Sequence, residues 1–152
     1  MTADEKAAWR REWLLSLLCL ADLPLQKDRW LNPDITHPRW SYVEFICAYF
    51  DDALAAREYP HFVEIGLVSL EEAEAVHAFH RALQSYNAPD GPWDHASILS
   101  DENWAATAAK GHAGLQKLEA LLTDPAEKAL FATKAHAPAL TAADLSWPAV
   151  PS

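Results

Sequence analysis

Glycine is scarce in this chain, with four among 152 residues. That is too few for the tight turns of a β-rich protein. Cysteine is scarcer. Cys19 and Cys47 make neither a disulfide framework nor a metal cluster. Each lies in an apolar stretch, where a reduced thiol behaves as a small hydrophobe. The expected compartment is therefore a reducing one, the cytoplasm. No apolar run has the length needed to span a bilayer. Basic residues are outnumbered, 12 against 22 acidic, for a net charge of −10. Phosphates would be repelled by such a chain, so neither nucleic acid nor an anionic membrane is expected as a partner.

What is abundant is apolar and aromatic. Hydrophobic residues make up 51% of the chain, including seven Trp, five Phe and four Tyr. This is ample material for one core. Residues 1–137 are expected to form a single helical domain, followed by an Ala/Pro-rich tail over 138–152. The charge is unevenly placed. Between Glu44 and Glu102 stand twelve acidic residues and two basic ones, Arg57 and Arg81, so this half holds the whole net charge.

Apolar periodicity predicts an all-α chain, an antiparallel bundle of about five main helices with short helical turns. The first helix is expected over Ala3 to Ala21, with Pro24 ending it and a short turn near Gln26 to Leu31. Arg10-Arg11 before an apolar run resembles an export signal. Glu12, the shortness of the run and the lack of a small-x-small site favour an amphipathic helix instead. Thr36 or His37, with Pro38, is expected to start a second helix reaching about Ala56. That helix is apolar on most sides, as a central helix would be. Its polar remainder is Glu44, Ala48, Asp51, Asp52 and Ala55. Tyr59-Pro60 opens a short helix closed by Gly66. Ser69 and Glu72 have capping-box spacing for the next, which runs to about Tyr86 on Val76, Phe79 and Leu83. The loop from Asn87 to Pro92 presents Trp93 and Asp94. Ser100 is expected to cap a long helix to about Leu122, with Gly111 allowing close approach or, with Gly114, a bend. A last helix follows Thr123-Asp124-Pro125 to about Lys134.

No motif dictates a chemistry. Glu74 and His77 have the Glu-x-x-His spacing of di-iron bundles, but that chemistry needs two such motifs and further carboxylates. His77 and His80 with a carboxylate such as Glu44 are the nearest approach to a mononuclear site. Both histidines fall off the apolar stripe, so a metal centre is not expected, nor any cofactor. Cys47, within a hydrophobic helix, reads as an inert core thiol. Nucleophile elbows and Gly-rich phosphate loops are missing.

The suggestive feature is the line Glu44, Asp51 and Asp52 beside Tyr42, Phe45 and Tyr49. Carboxylates next to aromatics suit Lys and Arg side chains of a basic protein partner. Glu64, Trp93 and Asp94 are expected to extend that surface. The segment Trp40-Ser41-Tyr42-Val43-Glu44-Phe45-Ile46-Cys47-Ala48-Tyr49-Phe50-Asp51-Asp52, with the acidic stretch after it, resembles the acidic helical immunity proteins of bacterial toxin systems. The resemblance implies a stoichiometric inhibitor that covers the active site of a cognate toxin. Two alternatives stand beside it. One is a metal or small-molecule enzyme, if His77, His80 and Glu44 converge. The other is an adaptor that uses Trp93 or Trp147 as its anchor.

Overall fold

The computed structural model describes residues 1–32 and 41–134. Most of these residues are helical, with no strand among them. The helices are α1 (Ala3–Ala21), α2 (Leu23–Trp30), α3 (Tyr42–Cys47), α4 (Tyr59–Glu64), α5 (Leu70–Ser85), α6 (His95–Ser100), α7 (Glu102–Leu121) and α8 (Pro125–Lys134), and a π-helical turn, Ala48–Ala53, continues α3. Among the described residues no helix is long and apolar enough to cross a membrane. The expectations for Thr36, His37, Pro38, Trp40, Trp147 and the tail lie outside the described residues.

The central element is α1, not the helix after it. Its first half is a surface helix, opened by a capping box between Thr2 and Glu5. From Trp13 to Ala21 all nine residues are buried. They are covered by α2, α3, the π turn, α7 and α8. Pro24 starts α2 rather than only ending α1. It occupies the first turn of α2, where its missing N–H costs nothing, and Asp22 caps that turn by accepting from the Leu25 N–H.

Two glycines set how closely the long helices meet. α7 packs against α5 and α1 along Trp104, Ala108, Gly111, Leu115 and Leu118. A Cβ on Gly111 would lie 2.8 Å from the Ala21 Cβ and from the Phe79 ring, and one on Gly114 would lie 2.7 Å from the Ala75 carbonyl oxygen. α7 is continuous through both positions, so they serve close approach rather than a bend.

Buried polar groups tie the layers together. Arg10 of α1 donates from Nη1 and Nη2 to Glu72 of α5, at 3.0 and 2.6 Å, and from Nε and Nη2 to Glu127 of α8, at 2.7 and 3.0 Å. Its Nη1 also reaches the Leu67 carbonyl. Burial opposes ionisation of Glu72, but the Arg10 and Ser69 hydrogen bonds hold its carboxyl below the usual range. Fully buried Gln26 donates to the Cys19 and Leu20 carbonyls that end α1, and accepts from the Trp104 indole. Both N–H donors and the oxygen of that amide are thus turned to holding α2 between α1 and α7.

The loop between α5 and α7 contains one more helix than expected. Asp94 caps α6 by accepting from the Ser97 N–H, and Asp101 caps α7 through the Asn103 N–H. Ser100 is not a cap: it is the last residue of α6, and its hydroxyl bonds back to the Ala96 carbonyl.

Candidate functional site

The acidic stretch begins at Ser41, which caps α3 by accepting from the Glu44 N–H. After Cys47 the chain passes into the π turn, where the Leu54 N–H bonds to the Tyr49 carbonyl five residues back. In an unbroken α-helix Asp52 would stand seven residues from Phe45 and share its core-facing side. The wider turn admits an extra residue and rotates the helix. Ala53 and Leu54 take the core side, while Asp51 and Asp52 are both exposed. The turn ends on two alanines in left-handed backbone, Ala55 at φ 49° and Ala56 at φ 59°.

Glu44, Asp51 and Asp52 share one neighbourhood around half-buried Cys47. Burial pushes its thiol up to about 11, the Asp51 hydrogen bond adds to this, and the charges of Asp51, Glu44 and Asp52 push the same way. Cys47 is therefore a protonated donor at neutral pH, not a nucleophile. Partial burial and the neighbouring Asp51 also raise the carboxyl of Asp52. An arriving cation would favour the charged form of Asp52. The expected aromatic half of this surface is corrected. Tyr49 is fully buried, and Phe45 and Tyr42 are core residues too, since the π turn and α3 direct them onto α1 and Trp30. Val43, Ile46, Cys47 and Phe50 are the half-exposed neighbours instead.

A second acidic feature lies between α4 and α5. A groove of about 410 Å³ has Pro60, Val63, Leu70 and Ala73 as apolar lining, beside the Tyr59 ring. Glu64, Glu74 and His77 line it as well, and all three are exposed. Leu70 is 58% exposed and Ile65, just past α4, is 52% exposed. Gly66, at φ +78°, makes the turn that folds α5 back beside α4. Glu44, Asp51, Asp52, Glu64, Glu71 and Glu74 have no ion pair with Lys or Arg among the described residues.

His80 is buried, contrary to the expectation that it falls off the apolar stripe. It stands four residues after Val76 and three before Leu83, on the packed side of α5. A polar chain runs through it. The Trp13 indole donates to the Tyr59 hydroxyl at 2.9 Å, and that hydroxyl lies 2.6 Å from the Tyr49 hydroxyl. Tyr49 is 2.7 Å from Nδ1 of His80, whose Nε2 is 3.0 Å from Glu58. Gln84 holds the other Glu58 oxygen. The facing carboxylate places the proton of a neutral ring on Nε2, so Nδ1 accepts from Tyr49, and Tyr49 accepts from Tyr59. Every donor then has an acceptor. Burial, together with the charges of His77 and Arg81, holds the His80 ring below its ordinary pKa against the pull of Glu58. The hydrogen bond from His80 in turn lowers the Glu58 carboxyl.

The metal constellation does not assemble. His80 is committed to Tyr49 and Glu58, His77 and Glu74 face the groove, and Glu44 stands on α3. A second Glu-x-x-His spacing, Glu58-Tyr59-Pro60-His61, also stands in the sequence. Its glutamate goes to His80 instead. Among the described residues no group of three His, Cys, Asp or Glu side chains is placed to hold a metal ion. Trp93 is 66% exposed on the loop before α6, and the Asp94 side chain beside it is engaged as the helix cap. Chain order alone did not show what Glu58, Tyr59 and Arg10 pair with, because their partners come from other helices. In comparison with known proteins, no family, no curated protein and no solved structure matches this chain.

Proposed function

We propose that this protein binds a basic protein partner in the cytoplasm and, as immunity proteins do, inhibits a toxin by covering its active site. The observation that carries the proposal is the set of exposed Asp51, Asp52, Glu64, Glu71 and Glu74 with half-buried Glu44, which has no Lys or Arg ion pair among the described residues. Glu72, by contrast, is spent on Arg10 inside the fold. A surface of one sign steers an oppositely charged partner and speeds its capture. A nuclease toxin presents such a basic face, because it must hold phosphates. The scaffold in this reading is an antiparallel bundle of about five main helices, supported by the short connections between α4 and α5 and between α6, α7 and α8.

The triple variant Glu44→Lys, Asp51→Lys, Asp52→Lys tests the acidic ridge. With those carboxylates desolvated against Lys or Arg of the partner, reversal weakens binding by about 2 kcal/mol or more. Isothermal titration against the captured partner reads the loss. An unchanged affinity in a folded triple variant removes the ridge from the interface.

A further inference from the structure

We propose that the groove between α4 and α5 receives the apolar face of a basic amphipathic helix presented by the partner protein. This rests on the reading of the protein as a binder of a basic partner, and it adds where and how an anchor is held. The groove combines two things that a charged surface alone lacks. Its floor is apolar and open, with Val63, Leu70 and Ala73 along it. Leu70 leaves more than half of its surface in water, a cost that a covering side chain removes.

The rim selects the sign of the occupant. Glu64 and Glu74 stand at the groove, Glu71 is exposed on the same first turn of α5, and no Lys or Arg lines the groove. Helix stability accounts for Glu71 and Glu72, which are acids at a helix N-terminus. It does not account for Glu64, the last residue of α4, where the helix dipole opposes a negative charge. Nor does an ion pair hold Glu64 there among the described residues. An apolar trough with carboxylates on its edge fits a helix that carries leucines at i and i+4 and lysines or arginines beside them. The repelling rim disfavours a second copy of this acidic chain. The chain's own segment after Lys134 has no Lys or Arg with which to meet the rim.

The test uses the full chain and synthetic peptides of about 18 residues, long enough for an amphipathic helix. One peptide has leucines on one face and lysines on the other, a second has those leucines replaced by serine, and a third keeps the leucines but has glutamates for lysines. Binding is followed by NMR shifts and titration calorimetry, for the wild type and for the variant Val63→Thr, Leu70→Gln. Leu70 is more than half exposed and Val63 is partly buried, and matching thermal melts confirm that the variant is folded.

The expected result is that the Leu/Lys peptide binds and moves the resonances of Val63, Leu70, Ala73 and His77, while the other two peptides bind at least about tenfold more weakly, the serine peptide through loss of buried leucine contact and the glutamate peptide through repulsion by the acidic rim. The groove variant also loses about tenfold for the Leu/Lys peptide. Equal binding of the Leu/Lys and Ser/Lys peptides, undiminished in the groove variant, overturns the groove and leaves the acidic-face reading standing. No binding of either cationic peptide overturns both. Self-association abolished by Leu70→Gln assigns the groove to a second copy. Groove resonances that move in Trp147→Ala assign it to the chain's own tail. Either of these also overturns the proposal.

Discussion

His80 shows how one buried side chain makes the fold sensitive to acid. Its neutral ring accepts from Tyr49 and donates to Glu58, and Tyr59 and Trp13 complete the donor order. Protonation puts a hydrogen on Nδ1 and reverses Tyr49, which leaves the Tyr59 hydroxyl hydrogen facing a donor instead of an acceptor. The groups around the ring are Glu58, Tyr49, Tyr59, His77 and Arg81, and only Glu58 favours the charged form. Because the folded-state pKa lies below the unfolded value, the unfolded chain takes up the proton first. Stability from this source is therefore full above about pH 6.5, the ordinary His value, and declines as pH falls through that value toward the folded pKa. Denaturant melts of the wild type should show this decline, and His80→Ala should flatten it. The same variant should lose about 2 to 3 kcal/mol at pH 8, for the unsatisfied Tyr49 hydroxyl and the cavity. A wild-type profile with no decline down to pH 5, or a variant that retains it, contradicts the hydrogen-bond order. His80 was hidden in the sequence because the stripe of Val76, Phe79 and Leu83 left it outside, and its partner Tyr49 arrives from another element.

At the scale of elements, the helix ends follow local chemistry that can be read along the chain. Ser69 and Glu72 form their capping box, α1 spans Ala3–Ala21 as its apolar spacing predicts, and the stripe from Trp104 to Leu118 faces inward. The π turn escaped notice for a physical reason. Apolar spacing assumes 3.6 residues per turn, and a local widening shifts every later residue around the axis. That shift exposes Asp52 and turns Ala53 and Leu54 to the core. α6 escaped because it is only six residues long, too short to display a period. The packing of α7 on α5 depends on a missing side chain. Gly114→Ala gains up to about 1 kcal/mol in helix propensity. It also sets a methyl carbon 2.7 Å from the Ala75 carbonyl oxygen, a backbone atom that cannot rotate away. Overpacking of this kind costs about 1 to 3 kcal/mol, so the net expectation is a lower melting temperature. A variant more stable than the wild type would show that α5 and α7 part without cost.

Over the whole molecule, charge and packing are divided between different parts of the chain. The second half of α1 supplies the buried centre, and the strong internal ion pairs of Arg10 consume Glu72 and Glu127. Those pairs are held bidentately at the junction of α1, α5 and α8, so they fix helix positions more than they add net stability. The acids left over lie on α3, the π turn, α4 and the start of α5. Composition alone revealed that the negative excess sits between Glu44 and Glu102, and that much of the candidate site was legible. Which acids are free, and which are spent on caps or on Arg10, depends on contacts between helices far apart in sequence. The central claim is that the remaining carboxylates recruit a basic protein. Its most direct test is affinity capture from native cell lysate with the tagged wild type and the Glu44→Lys, Asp51→Lys, Asp52→Lys variant, at low and high salt, read by mass spectrometry. The account predicts one basic protein at near-equal stoichiometry with the wild type, captured more readily at low salt and depleted with the variant. A partner that is acidic, or one retained equally by both chains at both salts, would contradict it.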